Sequence, residues 1–143
     1  MSKFRWREAR WMLCGDKIGE GSARKVYHCR TNVNYVVKIE TRAQSFQNIA
    51  EFETWEWVRS GPIARWFAPC EFISPCGLIL MQRKVEPVRV AELPKRLPSF
   101  LCDLKPENFG MMDGRFVCCD YGTVPSAIQT ASRRMVLAKW RGL

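Results

Sequence analysis

The chain has 143 residues, 47% of them apolar and 26% charged, which suits one folded domain and excludes a disordered chain. Lys and Arg number 23 against 14 Asp and Glu, a formal charge of +9, so acidic partners are favoured. The basic residues are spread along the whole length with no run of five or six like charges, which argues against a nucleic-acid-binding arm.

Cys14, Cys29, Cys70, Cys76, Cys102, Cys118 and Cys119 form an odd set with one adjacent pair and no repeated two-residue spacing. That pattern suits neither a disulfide framework nor a zinc site, and it points to a reducing, cytoplasmic setting. The N-terminal Met-Ser-Lys-Phe-Arg-Trp-Arg-Glu lacks an apolar core and a cleavage site, and no stretch approaches the ~18 apolar residues of a membrane span. No membrane partner is expected.

In chain order, Phe4, Ala9, Trp11 and Met12 among charges predict a helix over 3–13, able to dock on a sheet. From Asp16 to Glu40, β-branched and aromatic runs alternate with the short polar segments Gly-Glu-Gly-Ser and Thr31 to Asn34, which reads as three strands joined by tight turns. Ile49, Phe52, Trp55 and Val58 recur every three residues and predict a helix over 43–59, stopped by Ser60-Gly61-Pro62. Two further strands are expected over Trp66 to Ile73 and Leu78 to Gln82.

Pro87, Pro94 and Pro98 make 83–100 a connector with short helical pieces at most. A hairpin follows, Phe109 to Met112 and Arg115 to Cys119, around the Asp113-Gly114 turn. Ala131, Met135, Leu137 and Trp140 predict a terminal helix. The six tryptophans read as packing aromatics, so nucleic acid is not the expected partner.

Asp103-Leu-Lys-Pro-Glu-Asn108, followed by this hairpin and by Asp120-Tyr-Gly122, gathers two acids, a lysine and an amide around one unit. Those are the groups that phosphoryl transfer needs: an acid to orient a hydroxyl, a lysine beside a terminal phosphate, and oxygen ligands for magnesium. The chain resembles the protein kinase family from Gly19 to Gly122, in the family's order. Gly19-Glu-Gly21-Ser-Ala-Arg-Lys-Val26 resembles the glycine-rich loop, Val36-Val-Lys38 the lysine strand, Asp103 to Asn108 the catalytic loop and Asp120-Tyr-Gly122 the metal-binding triplet.

The resemblance implies an α+β fold: a twisted antiparallel sheet of about five strands plus one helix, then a catalytic-loop hairpin and a much reduced C-lobe. It implies one minimal domain, 1–143, with an N-terminal helical segment at 1–15, a nucleotide-binding lobe at 16–84 and a reduced C-lobe at 85–143. It also implies ATP and Mg2+ as cofactors. Gly19, Gly21, Val26, Lys38 and Met81 would lie on the nucleotide, with Met81 to Lys84 as the hinge, although a strand end has the same texture. Lys38 would pair with a helix glutamate, Glu51 or Glu53, and Glu51 is preferred because it shares a face with Trp55 and Val58. Asp103 would be the catalytic carboxylate, Lys105 the phosphate-side lysine, and Asn108 and Asp120 the magnesium ligands.

The chain departs from the family in four places, the mildest being Tyr121 where phenylalanine is usual. Arg24 stands at the third glycine of the loop, with a side chain long enough to cover the phosphates. Leu101-Cys102 replaces the His-Arg before the catalytic Asp, which removes the arginine that reads a phosphorylated activation segment. Only Val85 to Phe100 separates the hinge from the catalytic loop, and 21 residues follow Gly122, leaving almost no room for a peptide-binding lobe. Two functions remain: a phosphotransferase acting on a protein or small molecule, and a catalytically inert kinase-like module that holds or inhibits a protein partner with an acidic surface.

Overall fold

The computed structural model describes residues 3–122, 128 and 132–143, with side chains from residue 7 onward. The chain groups into two compact units, Met1–Ile49 with Cys70–Lys84 and Ala50–Pro69 with Val85–Leu143. The stretch 50–69, assigned by sequence to the nucleotide-binding lobe, therefore clusters with the second unit.

The first unit begins with α1 (Lys3–Leu13), as expected, and contains β1 (Cys14–Glu20), β2 (Arg24–Cys29), β3 (Tyr35–Glu40), β4 (Cys70–Ile73) and β5 (Ile79–Arg83). They form one sheet in the order β1-β2-β3-β5-β4, every neighbour antiparallel. These are the five strands expected of the nucleotide-binding lobe, and the expected helix lies between β3 and β4 in sequence. β3 reads Tyr-Val-Val-Lys-Ile-Glu because a central strand is covered on both faces, and its middle four residues are all buried.

Cys14, Tyr27, Cys29, Val37, Ile39 and Ile79 form a buried cluster on one sheet face, against which Leu13, Tyr35 and Met81 pack. The Arg10 guanidinium of α1 bonds the Tyr27 hydroxyl and lies over its ring, 5.1 Å from the centroid. The predicted apolar stripe of α1 is only partly used. Ala9 and Leu13 are half-buried while Trp11 and Met12 are exposed, and the side chain of Phe4 lies outside the described residues.

α2 (Gln47–Val58) is shorter than the predicted 43–59. Gln44 and Phe46 adopt left-handed φ of 58° and 54°, which a helix cannot include, so its start moves to Gln47. The buried positions are Asn48, Glu51, Thr54 and Val58, while Ile49, Phe52 and Trp55 are half-buried. The apolar spacing located the helix but not its buried face, which is largely polar and saturated with hydrogen bonds.

In the second unit a short 3-10 turn (Pro62–Trp66) leads to Phe67 and Ala68, so the strand predicted from Trp66 starts only at Cys70. The hairpin forms as read, with β6 set aside for Arg96–Pro98, β7 at Phe109–Met112 and β8 at Arg115–Cys118. Asp113 and Gly114 both have positive φ, 49° and 75°, as a two-residue hairpin turn requires. Gly110 in β7 admits no side chain: a Cβ there would lie 2.7 Å from the Glu86 carbonyl oxygen and 2.5 Å from Val85. That approach lets Glu86 and Met111 exchange backbone bonds of 2.9 and 2.8 Å.

The terminal helix is not formed where the chain is described. Met135–Leu137 is a strand, β9, antiparallel to β6 in the register Leu97 with Val136. Ala131, part of that expected helix, lies outside the described residues. Pairing over the fully buried Leu97 outweighs the weak helical spacing. Among the described residues no cysteine forms a disulfide. Among the described residues no helix is long and apolar enough to cross a membrane.

Candidate functional site

In the first unit, Gly19, Val26 and Lys38 are consecutive partners across β1, β2 and β3, and Leu80 of β5 continues the row. Partners in one row share a sheet face, so the loop residues and the lysine are aligned by backbone pairing alone. Lys38 is 5% exposed. Gly21 follows β1 and donates its N–H to the Arg24 carbonyl at 2.8 Å. Neither Gly19 nor Gly21 has a left-handed φ, and a Cβ at either meets nothing nearer than 3.7 Å. The fold itself therefore does not require glycine at these two positions.

Arg24 does not reach out of the loop as its length suggested. It is buried, and its guanidinium donates to Asn48 Oδ1 at 3.2 Å. The Asn48 amide donates in turn to the Lys38 carbonyl at 3.1 Å, and its backbone N–H donates to Glu40 Oε1 at 2.7 Å. Asn48 thus fastens the start of α2 to β3 beside the lysine. No local sequence signal marks it, since α2 carries polar residues along its whole length. Met81 pairs with Val37, one residue out of step with Lys38. The two-residue strand period sends its side chain into the Tyr27–Val37 cluster, on the face opposite Lys38.

In the second unit, Asp103 and Asn108 are brought together. The Asn108 amide, itself buried, donates to both the carbonyl and the Oδ2 of Asp103 at 3.0 Å. Pro106–Asn108 forms a 3-10 turn that carries the chain into β7, and the Lys105 and Asn108 N–H groups close the loop on the Asp103 and Lys105 carbonyls at 2.9 Å. Lys105 is exposed. The Cys119 N–H donates to the Asn108 carbonyl at 2.8 Å, so Asp120 follows directly on a bond to Asn108. Asp120 is exposed.

Glu51 is fully buried and Glu53 exposed. One carboxylate oxygen of Glu51 accepts the Tyr121 N–H at 3.0 Å, tying α2 to the Asp120-Tyr-Gly122 triplet. Tyr121 is itself fully buried, donates its hydroxyl to the Ala68 carbonyl at 2.7 Å and packs edge-on to Phe67 at 4.9 Å. Tyrosine at this position therefore gains a hydrogen bond that phenylalanine could not make. Burial pushes the nearby Cys118 thiol well above its ordinary pKa, so it packs as an inert hydrophobe.

A residue with no local sequence signal completes the loop: the Arg141 guanidinium pairs with Asp103 Oδ1. Among the described residues no three His, Cys, Asp or Glu side chains cluster as metal ligands. Asn108 and Asp120 offer oxygen donors only, which suits magnesium, an ion that keeps several waters and takes one or two protein carboxylates. A cavity of about 320 Å³ beside Trp57, Pro62 and Arg133 contains none of the motif residues.

No family model matches the chain. No curated protein sequence matches it. Two similar solved structures are the streptomycin–ATP–APH(2'')-IIa ternary complex, at 13% identity and a TM-score of 0.47, and the gentamicin–APH(2'')-IIa complex, at 14% and 0.48. In both cases the similarity covers 63% of this chain and 30% of the other. The chain thus spans less than a third of those proteins' length.

Proposed function

We propose that the chain is an ATP- and magnesium-dependent phosphotransferase of protein kinase type, working in a reducing cytoplasm on a protein or small-molecule acceptor. The observation that carries this reading is the second unit's loop. Asp103 and Asn108 are hydrogen-bonded to each other, and the Asn108 carbonyl is bonded to the residue before Asp120. Two side chains of one kinase motif set thereby meet, and the chain enters Asp120 directly after a backbone bond to Asn108. The glycines support it too: a Cβ at Gly19 or Gly21 would make only ordinary contacts, of 3.7 Å or more, so the fold alone does not call for glycine there.

In this reading Asn108 and Asp120 would hold magnesium, which supplies charge neutralisation on the phosphates. Lys38 and Lys105 would face phosphate oxygens, and Gly19, Gly21 and Val26 would line the nucleotide. Asp103 accepts the proton of the acceptor hydroxyl while the acceptor oxygen bonds to the γ-phosphorus. The bond from that phosphorus to the bridging oxygen breaks, and ADP leaves with its electron pair. Glu51 would steady the triplet through its bond to the Tyr121 N–H.

A second reading, a kinase-like module that binds an acidic protein face without transferring phosphate, is favoured by one observation: both oxygens of Asp103 already have partners in the protein. Radiolabelled ATP incubated with cell extract separates the two readings. Labelling by the wild type that falls about a hundredfold or more in Asp103→Asn, with nucleotide binding retained, supports the enzyme. Equal labelling in both, or none in either, leaves the module.

A further inference from the structure

Asp103 is held by the end of the chain. β9 pairs with β6, the Ala138 N–H donates to the Lys95 carbonyl at 2.9 Å, and Trp140 Nε1 donates to the Pro94 carbonyl at 2.9 Å. The Trp140 ring stands edge-on to Phe109 and Phe116, at 5.2 and 6.1 Å. These contacts bring the Arg141 N–H to the Leu104 carbonyl at 2.8 Å and its guanidinium to Asp103 Oδ1. The Asn108 amide holds the other oxygen at 3.0 Å. An aspartate carboxylate turns easily about its last torsion, and two anchors on opposite oxygens stop that rotation. Each oxygen keeps a second lone pair for an acceptor hydroxyl.

We propose that Arg141 is a positioning residue for phosphoryl transfer at Asp103, and that 135–141 braces the catalytic loop. This deepens the phosphotransferase reading and rests on it. The brace explains why the segment folds as a strand and an anchored tail: its aromatic and guanidinium groups both terminate on the loop's two ends. The backbone N–H of residue 141 bonds Leu104 whatever its side chain, so a substitution isolates the guanidinium.

The test uses the full chain with Arg141→Gln and Arg141→Lys. The first readout is amide exchange at Lys105 and Asn108. Their protection should fall about two- to fivefold in Arg141→Gln, the range expected of a part-exposed ion pair, and return in Arg141→Lys. The same Gln substitution should add nothing in an Asp103→Ala background. The second is steady-state transfer, where Arg141→Gln should lower kcat about tenfold or more with KM for ATP within about twofold, and Lys should restore part of it. Unchanged exchange, an equal change in the Asp103→Ala background, or an unchanged kcat overturns the positioning role alone. A wild type that turns over no ATP overturns the phosphotransferase reading, and the positioning role with it, whatever the exchange shows.

Discussion

The two compact units hold their chemistry-bearing residues by different means. In the first, Gly19, Val26 and Lys38 are consecutive rungs of a ladder, placed by the same backbone bonds that make the sheet. In the second, Asp103, Asn108 and Asp120 lie outside the strands, and local bonds within their loop are joined by others that come from far away. Arg141 lies 38 residues from Asp103, Trp140 46 from Pro94, and Glu51 70 from Tyr121. A ladder shares the load over many equivalent bonds, whereas a clamped loop depends on a few particular side chains. The first arrangement tolerates side-chain change; the second does not.

The sharpest break in that contrast comes at Tyr121. Removing this buried ring with Tyr121→Ala empties space beside Phe67 and deletes the bond to Ala68, and should destabilise the protein by about 3–5 kcal/mol in denaturant titration. Asn48→Ala, which cuts side-chain links in the first unit but leaves the ladder intact, should cost about 1–3 kcal/mol. An Asn48 variant less stable than the Tyr121 variant would show that the sheet, too, hangs on single side chains.

A smaller effect lies in thiol chemistry. Cys76 is exposed in the turn between β4 and β5, and the Ser74 hydroxyl draws its pKa below the ordinary value. Burial drives Cys118 the other way. At neutral pH an alkylating reagent should modify Cys76 quickly and Cys118 only on unfolding, read by peptide mass spectrometry. Alkylation of native Cys118 at a similar rate would mean that the second unit opens far more readily than its packing implies.

The smallest effect belongs to the exposed pair of Lys17 and Glu20, 2.7 Å apart. The lysine's hydrogen bond lowers the Glu20 pKa below the usual 4.5. Its contribution is therefore present above the unfolded carboxylate's pKa and disappears as pH falls through the lowered value. Glu20→Gln should barely move the acid-unfolding midpoint, and added salt should erase the difference.

The same contrast decides what could be read from the sequence. β1 to β5 and the 109–119 hairpin were legible because β-branched runs and the Asp113-Gly114 turn are local signals that register then amplifies. α2 was located by Ile49, Phe52, Trp55 and Val58, but its buried face is shared by Asn48, Glu51 and Thr54, and the partners of Asn48 and Glu51 are remote in sequence. Residues 135–137 read as helix because a three-residue strand carries no periodicity, and only its pairing with 96–98 makes it one. The candidate residues Asp103, Asn108 and Asp120 were visible as motifs. Arg141 was not, since nothing near it in sequence marks it as a partner for Asp103.

The central claim is that the motif residues serve a magnesium-bound nucleotide. Calorimetric titration of ATP into the wild type and into Asp120→Asn, each with and without magnesium, tests it most directly. Binding in the wild type should be strengthened by magnesium. Asp120→Asn should weaken the magnesium-dependent affinity about tenfold or more while leaving the magnesium-free affinity within about twofold, since only the metal ligand is removed. No heat of binding at millimolar Mg-ATP, or an Asp120→Asn variant that binds Mg-ATP as well as the wild type, would contradict it.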